Sequence, residues 1–161
     1  MFIRAGVSLD VSTPLFWSFP PHLLGGGDLR LMRCTMGGAM DKAKILVMDD
    51  EAMFGEFVRD AATALGYDVL VVTEPGKFFE AFSSFKPDSV VLDMVMPEYD
   101  GTDITRWLVT EKFAGKLIMV TGYNPQYSKI AKALGELGGL HKVVRLGKPI
   151  RLEELRRVLT D

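Results

Sequence analysis

From residue 44 onward, short aliphatic or β-branched runs alternate with stretches whose apolar residues recur at helical spacing. This alternation constrains the fold more than any other feature of the chain. Ile45-Leu46-Val47-Met48 is an uninterrupted apolar run, as expected of a strand covered on both faces. Behind it, Phe54, Phe57, Val58, Ala61, Ala62 and Leu65 stand at i, i+3, i+4, i+7, i+8 and i+11, one stripe of an amphipathic helix closed by Gly66. The pattern then repeats: a strand at 69–72, a helix at 78–85 stopped by Lys86-Pro87, a strand at 89–92 and a short helix at 103–110. A strand at 117–120, a helix over 126–137, a strand at 142–146 and a helix at 151–159 complete it. Five strands alternating with five helices predict an α/β fold, a doubly wound five-stranded parallel sheet with helices on both faces.

The first 40 residues break the pattern. They hold six of the 16 glycines and three of the eight prolines, and show neither helical nor strand periodicity. Residues 1–40 are therefore expected to be a poorly ordered N-terminal extension, with the domain at 41–161. The apolar Leu15-Phe16-Trp17-Ser18-Phe19 is cut by Pro20-Pro21 and lacks the basic start and cleavage site of a secretory signal. Met40 directly precedes the α/β pattern. The natural protein is accordingly expected to start there, with an overlong reading frame upstream, an expectation that N-terminal mass spectrometry of the native protein checks. A 48% hydrophobic content and a net charge of −2 exclude a disordered chain and a strongly basic nucleic-acid binder. Cys34, the single cysteine, cannot form a disulfide within the chain. No apolar stretch reaches the roughly 20 residues of a membrane span. The expectation is a cytoplasmic protein with no membrane insertion and no direct contact with nucleic acid.

In a doubly wound sheet the functional crevice lies beyond the carboxyl ends of the strands. The residues that follow the strands here are Asp49-Asp50-Glu51, Asp93, Thr121 and Lys148-Pro149. Each has an ordinary reading by itself: the acids complement a helix start, Asp93 opens a turn, and Lys148 is solvated. Together they bring carboxylates, a hydroxyl and an ammonium to one rim. Clustered carboxylates repel unless a hard cation neutralises them, and an oxygen-only ligand set suits Mg²⁺. A carboxylate so placed can attack phosphorus, while a hydroxyl and an ammonium supply donors to phosphoryl oxygens.

Residues 43–159 resemble the receiver domain of two-component response regulators. The resemblance rests on Ile45-Leu46-Val47-Met48-Asp49-Asp50-Glu51, on the run from Val90-Val91-Leu92-Asp93-Met94-Val95-Met96-Pro97 to Asp100-Gly101, on Val120-Thr121-Gly122 and on Gly147-Lys148-Pro149. It implies the flavodoxin-like receiver fold and a phosphoacceptor role for Asp93. It implies Mg²⁺ held by Asp50, Asp93 and the backbone carbonyl of Val95, with Asp49 acting through a bound water. Thr121 and Lys148 would contact the phosphoryl group, Pro149 matches the family's usual cis-proline, and Gly122 matches the small residue that admits the incoming phosphohistidine. The implied donor is a sensor histidine kinase or a histidine phosphotransfer protein, and the implied partner a downstream effector protein, with homodimerisation on phosphorylation left open. The protein is then a self-phosphorylating acceptor with slow autodephosphorylation and not a conventional enzyme.

Several positions depart from the family pattern. Arg145 stands three residues before the lysine, where the family usually has a Tyr or Phe that switches rotamer; its ordinary reading is an edge-strand residue with its stem along the surface. The interval from Thr121 to Lys148, 27 positions, is longer than usual, with the excess around 131–141. Val95 and Tyr123 occupy the positions that tune phosphoryl loss, and neither orients water readily, which predicts a lifetime of minutes or longer. Met53, Glu56 and Arg59 are the outward positions of the first helix and candidates for kinase contact. The last helix ends just before Asp161, so a stand-alone receiver is the expectation. A constitutive, non-phosphorylated interaction module is the alternative, with Arg145 in its favour. An aspartyl phosphatase would need a second acid where Val95 stands, and dinucleotide binding fails because Gly135, Gly138 and Gly139 come at a helix end and not in a strand-to-helix turn.

Overall fold

The computed structural model describes residues 32–34, 40–97, 100–122, 129, 133, 138–140 and 142–161, with side chains from residue 41 onward. Two short strands, β1 (Met32–Cys34) and β2 (Met40–Lys42), pair antiparallel outside the main sheet. The sequence pattern shows no strand before residue 44, because a three-residue ladder is too short for alternation to register. The main sheet contains β3 (Lys44–Met48), β4 (Asp68–Val72), β5 (Ser89–Asp93), β6 (Lys116–Thr121) and β7 (Lys142–Gly147). Its order is β4-β3-β5-β6-β7, and every pairing is parallel. Helices α1 (Ala52–Thr63), α2 (Phe78–Phe85), α3 (Gly101–Thr110) and α4 (Leu152–Thr160) cover it. The helix expected over 126–137 lies outside the described residues, apart from the helical Lys129 and Ala133.

Strand alternation sorts the core into two layers. Leu46, Met48, Val90, Leu92, Leu117 and Met119 face one side with Phe78, Ile104 and Leu108 from α2 and α3. Ile45, Val47, Val91, Ile118 and Val120 face the other with Val58, Ala61, Ala62 and Leu155 from α1 and α4. Burying successive residues on opposite faces is why these strands read as unbroken apolar runs. The four phenylalanines of α2 join the first layer: Phe78 is fully buried, and Phe82 meets Trp107 edge-on at 5.1 Å between ring centroids. Burial of a side chain as large as Phe78 contributes roughly 2–3 kcal/mol.

Helix α3 starts two residues earlier than its apolar pattern suggests. Asp100 is its N-cap, and the carboxylate accepts from the Thr102 N–H at 3.0 Å. Behind it, Gly101 passes so close to the end of β5 that a Cβ there would lie 2.7 Å from Met94 Cα and 2.8 Å from the Asp93 carbonyl oxygen. The cap and the close approach together fold the chain back immediately after Asp93.

Candidate functional site

Adjacent parallel strands β3 and β5 deliver Asp49 and Asp93 side by side at the carboxyl edge of the sheet. Thr121 ends β6 on the far side of β5, and the Lys148 N–H donates to the Thr121 carbonyl at 2.8 Å, tying the lysine to that edge. The Lys148–Pro149 peptide is cis. Asp49, Asp93 and Thr121 are buried, whereas Asp50 is exposed. The rim expected from the strand pattern therefore exists, with every one of its residues on it.

Lys148 is the hub. Its Nζ donates to Asp93 Oδ2 at 2.8 Å, lies 3.0 Å from Asp49 Oδ2 and 3.7 Å from Glu51 Oε1, and stands 4.5 Å from the centre of the Phe54 ring. Burial of its stem works to lower the ammonium's pKa, but the hydrogen bond to Asp93 and the negative charges of Asp49 and Asp93 outweigh it, and the net displacement is upward. The side chain thus remains a cation. Backbone donors fix the other oxygens: Glu51 N–H reaches Asp49 Oδ1 at 2.9 Å, and Val95 N–H reaches Asp93 Oδ1 at 3.1 Å.

Asp49 pays for its position. Burial pushes its carboxyl up to about 6; Lys148 and the Glu51 N–H pull it down in part, and the neighbouring charge of Asp93 adds to the rise. Its Oδ2 is buried with no hydrogen-bond partner, since Lys148 balances its charge without directing a bond at it. One carboxylate oxygen each from Asp49, Asp50 and Asp93 lies within 4.8 Å of the others. An oxygen-only cluster with a buried lone pair left unused fits a hard divalent cation such as Mg²⁺, which keeps waters and bridges to phosphate.

The remaining expected positions fall around this centre. Val95 stands two residues after Asp93, bridges to Asp100 and is 57% exposed. Gly122 lies next to Thr121, and a Cβ there would meet open space. Gly122, Phe54, Phe57, Pro149, Ile150 and Lys148 line one open apolar cleft beside the carboxylates. Arg145 is exposed on the edge strand β7, two residues from Val143 on the same sheet face, and has the ordinary surface placement expected of it. Of the outward α1 positions, Met53 is 87% exposed, and Glu56 and Arg59 pair with each other. Tyr123 and the segment 131–137 lie outside the described residues. Phe54 is what the sequence reading missed, having assigned it to the core stripe. Its place one turn after Asp50, at the rim end of that stripe, was the available signal.

A doubly wound sheet with three carboxylates, a hydroxyl and an ammonium gathered where its strand order reverses defines an α/β signalling domain of the receiver type. The family described as response regulator receiver domain matches residues 45–160, and the chain belongs to that family. The "Probable transcriptional regulator ycf27" of Porphyridium aerugineum is 33% identical over 121 residues, covering 74% of this chain and 49% of that protein. The chain thus spans about half the length of this curated relative. Among solved structures, the chemotaxis protein CheY4 of Vibrio cholerae superposes with a TM-score of 0.63 at 21% identity, covering 73% of this chain and 95% of that one, a likeness of fold. A response regulator receiver domain protein from Clostridium thermocellum gives 0.61 at 27% identity, covering 73% and 90%. Receivers are phosphoacceptors of two-component signalling. Among the described residues, no helix is long and apolar enough to cross a membrane.

Proposed function

We propose that Asp93 accepts a phosphoryl group from a phosphohistidine of a sensor kinase or histidine phosphotransfer protein in the cytoplasm. A carboxylate oxygen of Asp93 attacks phosphorus, the P–N bond breaks, and its electron pair returns to the imidazole. Asp49, Asp50, Asp93 and the Val95 carbonyl would hold Mg²⁺, which, when bound, neutralises the charge that gathers on the phosphoryl oxygens. Thr121 and Lys148 donate to those oxygens, and Gly122 leaves room for the donor's imidazole. The observation that supports this reading is the Lys148 ammonium, 2.8 Å from Asp93 and 3.0 Å from Asp49, over a carboxylate cluster of metal-ligand dimensions. The phosphorylated form then binds a downstream effector protein, or a second copy of the chain, through a changed surface. The alternative, a constitutive interaction module, has Arg145 in its favour and leaves the intact cluster without a purpose.

The test is incubation with acetyl phosphate and Mg²⁺ followed by intact-mass measurement. Here the Asp93 oxygen displaces acetate, the P–O bond to acetate breaking. One added phosphoryl group is expected on the wild type, and none with EDTA or on Asp93→Asn. A wild type that stays unmodified, or an Asp93→Asn variant that is modified equally, removes the proposal.

A further inference from the structure

The aromatic ring beside the lysine belongs to no role assigned above. Phe54 sits in the first turn of α1, whose geometry is set by the Phe54 N–H donating to the Glu51 carbonyl at 2.9 Å. Its ring packs partly against the core layer under α1 and partly beside the Lys148 ammonium, 4.5 Å from ring centre to Nζ. That distance is within the range over which the negative face of an aromatic ring attracts a cation.

Among the described residues, the other partners of the Lys148 ammonium are carboxylates, and two of them, Asp49 and Asp93, belong to the cluster of metal-ligand dimensions. A divalent cation would draw those oxygens to itself and repel the ammonium as a like charge. Glu51, the third, is exposed and 3.7 Å away, a weak restraint in water. The ring face differs in kind: it attracts the ammonium, offers no oxygen to a hard cation and attracts no anion. Among the described contacts of the ammonium, it is the one for which neither cation nor phosphoryl group competes.

We propose that Phe54 is a positioning residue, its ring face holding the Lys148 ammonium beside Asp93 while the carboxylates are engaged elsewhere. This rests on the phosphoacceptor reading above.

The experiment uses the full chain with phenylalanine 54 replaced by mono-, di- and trifluorophenylalanine, which keep the ring's shape and progressively drain its face of charge. Two readouts are followed: the rate of phosphoryl uptake from acetyl phosphate with Mg²⁺, and the upfield ring-current displacement of the Lys148 Cε protons by NMR. The logarithm of the rate is expected to fall stepwise with each fluorine, reaching about a tenfold loss with three. Phe54→Leu is expected to lose a similar factor and Phe54→Tyr to restore the wild-type rate. The upfield displacement is expected in the wild type, to persist with Mg²⁺ and beryllofluoride, and to vanish in Phe54→Leu. Rates indifferent to fluorination, or an upfield displacement that disappears on loading, overturn the positioning role while leaving the phosphoacceptor reading intact. A wild type that takes up no phosphoryl group overturns the function first, and the role of Phe54 with it.

Discussion

At the scale of single residues, the site is a set of charges held closer than they would settle alone. Asp49 shows the cost most directly: its carboxyl, raised to about 6 against an ordinary 3.8, holds its proton more tightly in the folded chain than in the unfolded one. Between those values the native state binds more protons than the unfolded one, so stability falls as pH rises through that window. The full penalty applies above about pH 6 and amounts to at most about 3 kcal/mol. Urea unfolding in EDTA is therefore expected to give lower stability at pH 7 than at pH 5. Mg²⁺ is expected to remove that slope by favouring the ionised carboxylate, and Asp49→Asn to flatten it without metal. Stability in EDTA that increased from pH 5 to pH 7 would contradict this account. The acids, Thr121 and Lys148 were legible because chemistry restricts which residue types can crowd a rim. Phe54 was not, because an apolar residue at helical spacing looks the same whether its outer edge meets water or an ammonium.

At the scale of elements, periodicity gave the five strands of the main sheet and the four described helices that cover it, missed the short β1–β2 pair, and otherwise erred at boundaries. The start of α3 is the informative case. Asp100-Gly101 reads locally as a turn, yet it serves as the N-cap and first residue of the helix, with Gly101 pressed against the backbone behind Asp93. The need for glycine comes from Met94 and Asp93, seven and eight positions back in the chain, which local propensity does not register. Gly101→Ala is expected to destabilise the fold by about 1–3 kcal/mol, because a Cβ would meet backbone, which cannot move aside as a side chain can. Asp100→Ala removes the cap and is expected to cost about 1 kcal/mol. Chemical denaturation of both variants checks the order; a loss in Gly101→Ala smaller than in Asp100→Ala would show that the loop after β5 yields more readily than its contacts suggest.

At the scale of the whole molecule, the two core layers and the five-stranded sheet are built from described residues after position 43, and the β1–β2 pair forms a separate sheet. A chain starting at Met40 is therefore expected to melt at the same Tm as the full chain, followed by circular dichroism. A fall of about 4 °C or more, equivalent to roughly 1 kcal/mol at this size, would mean that the first 39 residues stabilise the domain.

The alternation of strands and helices by itself determined the class of fold, and it determined that the acids, Thr121 and Lys148 share one edge, because every strand of a parallel sheet presents its carboxyl end on the same side. Which of them touch was decided only by tertiary structure. The order β4-β3-β5-β6-β7 puts Asp49 beside Asp93, and the tie from Lys148 to Thr121 swings the ammonium over both. Strand adjacency is settled by packing among segments distant in sequence, and no local pattern of residues encodes it.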